Sequence, residues 1–163
     1  METTVHALEC RILSREWKEP LLAFFDSLDG DDISNFSPHP FTADAVEHIL
    51  RSALSDLYYV LVEGKQVLGY GSLRGWDEGY EIPSLGIAIH PSARGTGLSR
   101  LLMQFLAAAA KHRGAGQIRL RVKSGNARAR KLYESLGYRF APHENGYLIG
   151  HLLLCDQPLQ PAK

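Results

Sequence analysis

The sequence predicts an α/β domain with a largely antiparallel central sheet of about seven strands and flanking helices. Four segments carry apolar residues at helical spacing, and seven shorter segments have the β-branched or alternating patterns that are typical of strands. Turn residues separate these segments, and the chain shows no internal repeats and no long linkers. Because 163 residues suit one domain with one sizeable core, we expect a single domain over residues 1–163.

The N-terminal third is predicted to begin with a strand and to continue with two helices. Residues 3–12 (TVHALECRIL) have the composition of a strand, and apolar residues recur at helical spacing over residues 15–28. The Asp-, Ser- and Pro-rich stretch over residues 29–40 (DGDDISNFSPHP) is interpreted as a loop. A second helix is predicted to begin after Thr42, which is a favourable N-cap residue.

Three strands are predicted in the middle of the chain. Residues 57–63 (LYYVLVE) and 66–73 (QVLGYGSL) flank Gly64, which suits a hairpin turn. The next strand is predicted within residues 81–90 (EIPSLGIAIH). Pro83 suits its beginning, since proline has no N–H for a central ladder.

The second half is predicted to alternate helices and strands. A helix is expected over residues 97–112, a strand with one basic side over 117–123 and a short helix over 126–136. Residues 138–141 and 147–154 are expected to close the chain as a hairpin. The apolar face expected for the first of these helices consists of Leu98, Leu101, Leu102, Phe105, Leu106 and Ala109.

Charge is distributed unevenly although the formal net charge is zero. Residues 94–139 hold eleven Lys or Arg and one acid, so this segment carries +10 and the remainder carries −10. Two solvated faces would explain this, and so would a basic half that holds a polyanion and an acidic half that meets a cation. Nucleic acid is a third interpretation, but the acidic remainder would repel a long phosphate backbone.

A glycine-containing turn, residues 94–99 (RGTGLS), leads from a predicted strand directly into a helix. A triphosphate-binding loop would need a lysine that this turn lacks. A dinucleotide fingerprint would place glycine where Arg100 stands and an acid about twenty residues later, and neither is present. The remaining alternatives are a plain turn and a site where successive backbone N–H groups bind a pyrophosphate.

Two motifs in this half resemble those of one enzyme family. The stretch IAIHPSARGTGLSRLL resembles the acetyl-CoA-binding signature Arg/Gln-x-x-Gly-x-Gly/Ala of GNAT N-acetyltransferases, with Arg94 and Gly97 as matches and Ser99 as a departure. Residues 126–138 (NARARKLYESLGY) resemble the second signature of that family, in the same order and at a similar separation. The resemblance covers residues 57–154, and the N-terminal third fits by its layout.

The resemblance implies a central sheet that splays at the cofactor site, where acetyl-CoA lies between two strands. Its pantetheine arm would bind the exposed edge of the strand before the turn, and the turn backbone would hold the pyrophosphate. The asparagine that begins the second motif would contact the arm near the thiol. The residues implied to bind the cofactor are Ile87, Ala88, Ile89, Arg94, Gly95, Thr96, Gly97, Leu98, Ser99 and Asn126.

The resemblance also implies direct acetyl transfer to a primary amine. Tyr133 matches the family tyrosine beside the sulfur, where a phenol is able to protonate the departing thiolate. Many relatives carry a glutamate in the strand before the turn, but SLGIAI offers no carboxylate. We therefore expect Glu81 to act as the general base, with Ser84, His90 and His39 as alternatives.

The expected acceptor is a small molecule such as an amine, an amino sugar, an amino acid or an antibiotic. The acidic remainder of the chain suggests a cationic amine by charge complementarity. Acetylation of a protein N-terminus or of a lysine is the alternative activity, and a non-catalytic acyl-CoA-binding module is the alternative to an enzyme. The seven histidines show no ligand spacing, so no metal is expected, and neither a nucleic acid nor a membrane is expected as a partner.

Location and assembly are predicted from weaker signals. Cys10 and Cys155 occur singly, which is typical of reduced thiols, and the chain shows neither a signal pattern nor a spanning segment. A cytoplasmic location is therefore expected. Relatives of this family often dimerise, so a homodimer is a further expectation.

Overall fold

A seven-stranded mixed sheet runs through the residues that the computed structural model describes, which are 6–36, 38–142 and 144–154. The strands are β1 (Leu8–Ile12), β2 (Leu57–Glu63), β3 (Gln66–Arg74), β4 (Ser84–Ile89), β5 (Gln117–Lys123), β6 (Arg139–Pro142) and β7 (Tyr147–Leu153). The helices are α1 (Lys18–Asp26), α2 (Gly30–Asn35), α3 (Ala43–Ser52), α4 (Leu98–His112) and α5 (Ala127–Ser135). The predicted fold class is confirmed.

The sheet has the spatial order β1-β2-β3-β4-β5-β7-β6, and its neighbouring strands are antiparallel except for β4 and β5. These two parallel strands are bridged at one pair, Ser84 with Arg119. Beyond that pair the two strands diverge, so the edge of β4 that faces β5 has no ladder partner over Ile87–Ile89. The divergence of β4 and β5 therefore opens a gap in the middle of the sheet.

Two hydrophobic clusters cover opposite faces of the sheet. On one face α4 packs on β3, β4 and β5 through the buried side chains of Leu102 and Leu106. On the other face α1 and α3 pack on β2 and β3 through Leu21, Phe24 and Val46. The second cluster contains no residue of β5, β6 or β7 in the described chain, so the helices on that side cover one half of the sheet.

The buried side of α4 differs from the predicted one. Leu102, Met103, Leu106 and Ala110 are buried, whereas Leu101 is 45% and Phe105 37% exposed. The apolar stripe is wider than the part of the helix surface that contacts the sheet, so the margin of the stripe reaches solvent. Phe105 lies at this margin, where its ring makes an edge contact with Tyr59 at a centroid distance of 4.9 Å.

The prediction of a loop over residues 29–40 was wrong in its first half, where α2 forms. The Asp29 side chain accepts a hydrogen bond from the Asp32 N–H, and the Asp32 side chain accepts one from the Asp29 N–H. This reciprocal capping satisfies two N–H groups that a helix start otherwise leaves unpaired. The aspartates that suggested a loop are therefore the residues that begin the helix.

Other predicted boundaries are confirmed. Thr42 caps α3 by accepting the Ala45 N–H, and Gly64 forms the β2–β3 turn with a φ of 60°. The last two strands pair as the predicted hairpin. Residues 3–5 of the predicted first strand and Cys155 lie outside the described residues. In the described ranges, no helix combines the length and the apolarity that spanning a membrane requires.

Candidate active site

A cavity of about 520 Å³, here called the central cavity, lies where β4 and β5 diverge. The edge of β4, the glycine turn, the beginning of α5 and the α2 segment form its walls. Nine of the residues predicted for the site line it, namely Ile87, Ala88, Ile89, Arg94, Gly95, Gly97, Ser99, Asn126 and Tyr133. The predicted residues Thr96, Leu98 and Glu81 do not belong to its lining.

The glycine turn has the backbone that an anion site needs. Gly95 has a φ of 75° and Gly97 a φ of 89°, and this left-handed region strongly favours glycine. Gly97 is the N-cap of α4, whose first N–H groups have no partner within the helix. Apart from the adjoining backbone and the neighbours in sequence, no described atom lies within 4 Å of the position that a Cβ would take on Gly95 or Gly97. The turn therefore leaves room for a phosphate close to its backbone.

Cationic side chains surround this end of the central cavity. Arg94, Arg100 and Arg128 line it. Arg94 forms an ion pair with Asp32 of α2, and Arg100 donates a hydrogen bond of 2.8 Å to the Ser135 hydroxyl. Arg100 stands where a dinucleotide motif would have glycine, and the sequence analysis did not predict that its side chain lines the cavity. These charges add to the positive end of the α4 dipole.

The α2 segment forms a wall that the sequence analysis missed. Leu28, Asp32, Asn35 and Phe36 line the central cavity from this side. The spacing of Asp29 and Asp32 is the signal that would have indicated a capped helix here. Gly86 of β4 permits this close approach, because a Cβ there would clash with Pro38 and would lie 3.4 Å from Phe36 Cε2.

Tyr133 and Asn126 reach the central cavity from one helix. The Asn126 side chain caps α5 by accepting the Ala129 N–H at 3.2 Å, which places Tyr133 two turns further on the cavity side. Burial raises the pKa of the Tyr133 phenol to about 12. At neutral pH this phenol is therefore a proton donor.

The candidate bases lie in different surroundings. Glu81 is exposed and lies three residues before Ser84, near the bridged pair at which the gap between β4 and β5 is closed. His90 Nδ1 accepts the Ser92 N–H, and His39 Nε2 lies 2.6 Å from the Tyr70 hydroxyl. None of these four candidates lines the central cavity as the described residues define it.

The acids beside Glu81 hold loops together. The Asp77 carboxylate accepts the N–H groups of Leu54 at 3.1 Å and Ser55 at 2.6 Å, and these hydrogen bonds lower its pKa. Asp56 accepts the N–H of Gly75 at 2.9 Å. Much of the acidic charge around residue 77 is therefore used in loop structure.

A second, more polar cavity of about 560 Å³ adjoins the first. Asn35 and Asn126 line both cavities, so the two meet at these side chains. Asp31 and Lys123, which carry opposite charges, both line the polar cavity. Sequence reasoning did not predict it, because its walls come from α2, from the end of β5 and from the β6–β7 turn.

No group of three or more His, Cys, Asp or Glu able to hold a metal ion occurs among the residues that the structure describes. The Cys10 thiol is free, and burial raises its pKa to about 11. It is therefore protonated and weakly nucleophilic at neutral pH.

Solved structures share this fold. The chain is similar to an N-acetyltransferase from Staphylococcus aureus Mu50, with 21% identity, a TM-score of 0.72 and coverage of 91% of this chain and 99% of that one. It is similar to the ribosomal-protein-S18-alanine N-acetyltransferase from Escherichia coli, with 19% identity, a TM-score of 0.69 and coverage of 96% and 100%. It is also similar to yncA from Salmonella typhimurium, solved with its cofactor acetyl-CoA, with 21% identity, a TM-score of 0.71 and coverage of 96% and 98%.

At these identities the structural likeness concerns the fold. A search of curated proteins found no match. The family model described as the acetyltransferase (GNAT) family matches residues 21–138, which include β4, the glycine turn, α4, β5 and α5. On this match, and with the splayed sheet and the glycine turn in place, the chain belongs to the GNAT acetyltransferase family.

Proposed function

We propose that this protein transfers the acetyl group of acetyl-CoA directly to a primary amine. The observation that carries the proposal is that the anion-binding turn and the Tyr133 phenol line one cavity, and that this cavity opens into a second, polar one. The similar yncA structure contains acetyl-CoA, which agrees with a cofactor of this kind. The family membership supports the same class of reaction.

The residues present fit this cofactor. In our proposal the backbone of residues 94–99 binds the pyrophosphate, because the two positive-φ glycines leave that space free. The unpaired edge of Ile87–Ile89 offers backbone groups to an extended arm, and Asn126 lines the cavity where it meets the polar cavity. Arg100 and Arg128 balance the phosphate charge.

When bound, acetyl-CoA supplies an activated acetyl thioester. Tyr133 then holds a proton for the departing sulfur, and its raised pKa keeps that proton in place at neutral pH. The free N–H groups of β4 donate hydrogen bonds to the carbonyl oxygen as negative charge develops on it. Both groups belong to rigid elements, so they are preorganised for the reaction.

The amine approaches through the polar cavity, where the Asp31 carboxylate attracts its ammonium form. It must lose a proton before it attacks. Glu81 remains our proposed acceptor of that proton. Because Glu81 is exposed and lies outside both cavities, a chain of water molecules must connect its carboxylate with the amine. The relay would run along the closed end of the splay, beside Ser84.

A small molecule is the proposed acceptor, since the polar cavity has a volume of about 560 Å³. Acetylation of a protein N-terminus is the second candidate, because the similar Escherichia coli enzyme is an alanine N-acetyltransferase of ribosomal protein S18. A cytoplasmic location and a homodimer remain the predictions of the sequence. Sedimentation of the purified protein measures the second of these.

Two measurements test the proposal. Calorimetry with acetyl-CoA reports binding, and release of free CoA thiol in the presence of an amine panel reports transfer. We expect micromolar binding and an amine-dependent release of thiol. Binding without release by any amine would support the non-catalytic module, and the absence of binding would overturn both interpretations.

A further inference from the structure

The face of β5 that lies opposite α4 carries a row of cations. Ile118, Leu120 and Val122 are buried on the α4 side, so the alternating residues Arg119, Arg121 and Lys123 lie on the other face. The cluster formed by α1 and α3 does not extend over β5, β6 or β7 within the described residues. Arg119 and Arg121 are accordingly exposed.

The neighbouring strands continue this row. Arg119 pairs with His151 of β7, and His151 pairs with Arg139 of β6, so these three side chains share one line across the sheet. The Arg121 guanidinium lies 3.7 Å from the centroid of the Tyr147 ring. We call Lys123, Arg121, Arg119 and Arg139 the basic strip. Alternate residues of a strand are about 6.6 Å apart, so the β5 part spans about 13 Å.

The four cations of the basic strip are not neutralised by carboxylates of the described residues. In the described part of the chain, none of its four cations has a carboxylate oxygen within 4 Å, whereas Arg15 and Lys18 share Glu47 and Arg94 has Asp32. Like charges at this spacing repel one another, and a bound anion would relieve the repulsion. Stacking on Tyr147 also holds Arg121 in one orientation, which lowers the entropy lost on binding.

The basic strip is continuous with the polar cavity. Lys123 and Tyr147 form its last cross-strand pair and also line that cavity. Asp31 lies on the other wall of the same cavity. A molecule whose amine lies beside Asp31 in this cavity is therefore able to extend its remainder past Lys123 and along the basic strip.

We propose that the basic strip binds anionic groups of the acceptor, so that the amine to be acetylated belongs to a molecule that also carries carboxylates or phosphates. This inference rests on the proposed function, since it assigns the substrate class of the same site. It refines the expectation of a cationic amine: Asp31 meets the ammonium end, and Lys123, Arg121 and Arg119 meet the remainder.

The test measures binding and transfer separately, with matched amines. The peptides Ala-Glu-Glu-Glu and Ala-Gln-Gln-Gln differ only in side-chain charge, and β-alanine and its amide differ in one carboxylate. Binding of each peptide to protein saturated with CoA is followed by calorimetry at low and high salt. Transfer to all four amines is followed by thiol release.

The variants are Arg119→Gln and Arg121→Gln, with Arg11→Gln as the control. Arg11 is also an exposed strand arginine, but it lies on β1, at the opposite end of the sheet from the basic strip, and pairs with Glu9. We expect the charged member of each pair to be preferred and salt to weaken this preference. Each strip variant should weaken binding of the acidic peptide about threefold to fivefold. Arg11→Gln should bind the acidic peptide as the wild-type protein does. All three variants should keep the wild-type affinity for acetyl-CoA.

A preference for the peptide alone would identify polypeptides as the source of the anionic groups, and a preference for β-alanine would identify small acids. Equal binding of charged and neutral members, or equal effects of the strip variants and Arg11→Gln, would overturn the proposal. So would binding restricted to a nucleic acid duplex included as a further probe. If neither these amines nor any member of the amine panel is acetylated while the charge preference in binding persists, the proposed function fails and the anion site stands.

Discussion

Arg94 and Asp32 form an ion pair of 2.5 Å that joins the glycine turn to α2 across the central cavity. The two side chains are only 34% and 22% exposed, so solvent screens the pair incompletely. Asp32 also accepts the Asp29 N–H that begins α2. In our proposal a phosphate bound at the turn would compete with this carboxylate for Arg94, which would couple cofactor binding to α2.

Asp32→Asn is expected to strengthen acetyl-CoA binding by up to about fivefold, because it frees Arg94 and removes a negative charge from the cavity. The asparagine oxygen is still able to accept the Asp29 N–H, so α2 should persist. Calorimetry measures the change. Asp31→Asn is the control, since Asp31 is exposed and lines the polar cavity. Weaker binding by Asp32→Asn would show that the main effect of Asp32 is to stabilise α2 beside the cavity, and that its competition with the phosphate for Arg94 is the smaller effect.

Gly97→Ala tests whether the glycine turn binds acetyl-CoA, and Gly114→Ala is the matched control variant. Both glycines have a positive φ, 89° and 99°, and both have free space at the Cβ position. Each substitution should therefore cost about 1–2 kcal/mol of unfolding free energy, measured by urea denaturation. Only Gly97→Ala should also weaken acetyl-CoA binding, by about tenfold, because Gly114 lies at the far end of α4. Equal affinities of the two variants would remove the turn from the binding site.

Tyr133→Phe should lower kcat about a hundredfold while the Kd for acetyl-CoA is nearly kept, since a general acid contributes at least this much. The pKa of about 12 means that the phenol stays protonated throughout the usual assay range, so it should cause no loss of rate up to pH 10. Tyr138→Phe is the control. Its ring lies 6.0 Å from that of Tyr133, and its buried hydroxyl has no hydrogen-bond partner in the described chain. This second variant should retain activity and stability.

Glu81→Gln tests the proposed base. We expect kcat/KM for the amine to fall, because the relay then ends on a group that cannot take a proton. Glu78→Gln, in the same exposed segment, should leave kcat/KM intact. If Asp31→Asn lowers kcat/KM and Glu81→Gln does not, the proton goes to the carboxylate of Asp31, which lines the polar cavity.

His39→Gln should remove a pH dependence of stability. Burial, together with the charge of Arg74, lowers the pKa of His39 below its ordinary value, so the folded state resists protonation while the unfolded chain takes up a proton near pH 6.5. The wild-type protein should therefore lose stability as the pH falls below about 6.5, by at most about 1.4 kcal/mol per pH unit from this group. Urea denaturation at several pH values measures the slope. His48→Gln, at an exposed position on α3, should keep the wild-type slope.

Features that depend on neighbouring residues were predictable. Thr42 caps α3 through the N–H three residues later, and Gly64 and Gly97 adopt a positive φ where the chain turns. Such contacts lie within one turn of backbone, so residue type and spacing suffice to indicate them. The miss at α2 was also local: the capping pair of Asp29 and Asp32 was present in the sequence and was interpreted as a loop.

The sequence by itself determined the glycine turn, the helix that follows it and the position of Tyr133 on the next helix, because each depends on short-range backbone preferences and on two spaced motifs. The tertiary structure decided what faces them. The Asp32–Arg94 pair joins residues 62 positions apart, and Lys123 reaches the polar cavity only because β5 ends beside α2. The basic strip is open because α1 and α3 cover β2 and β3 and stop short of β5. Whether helices cover a given face of a sheet depends on how the elements pack together. The spacing of residues along one strand does not predict this.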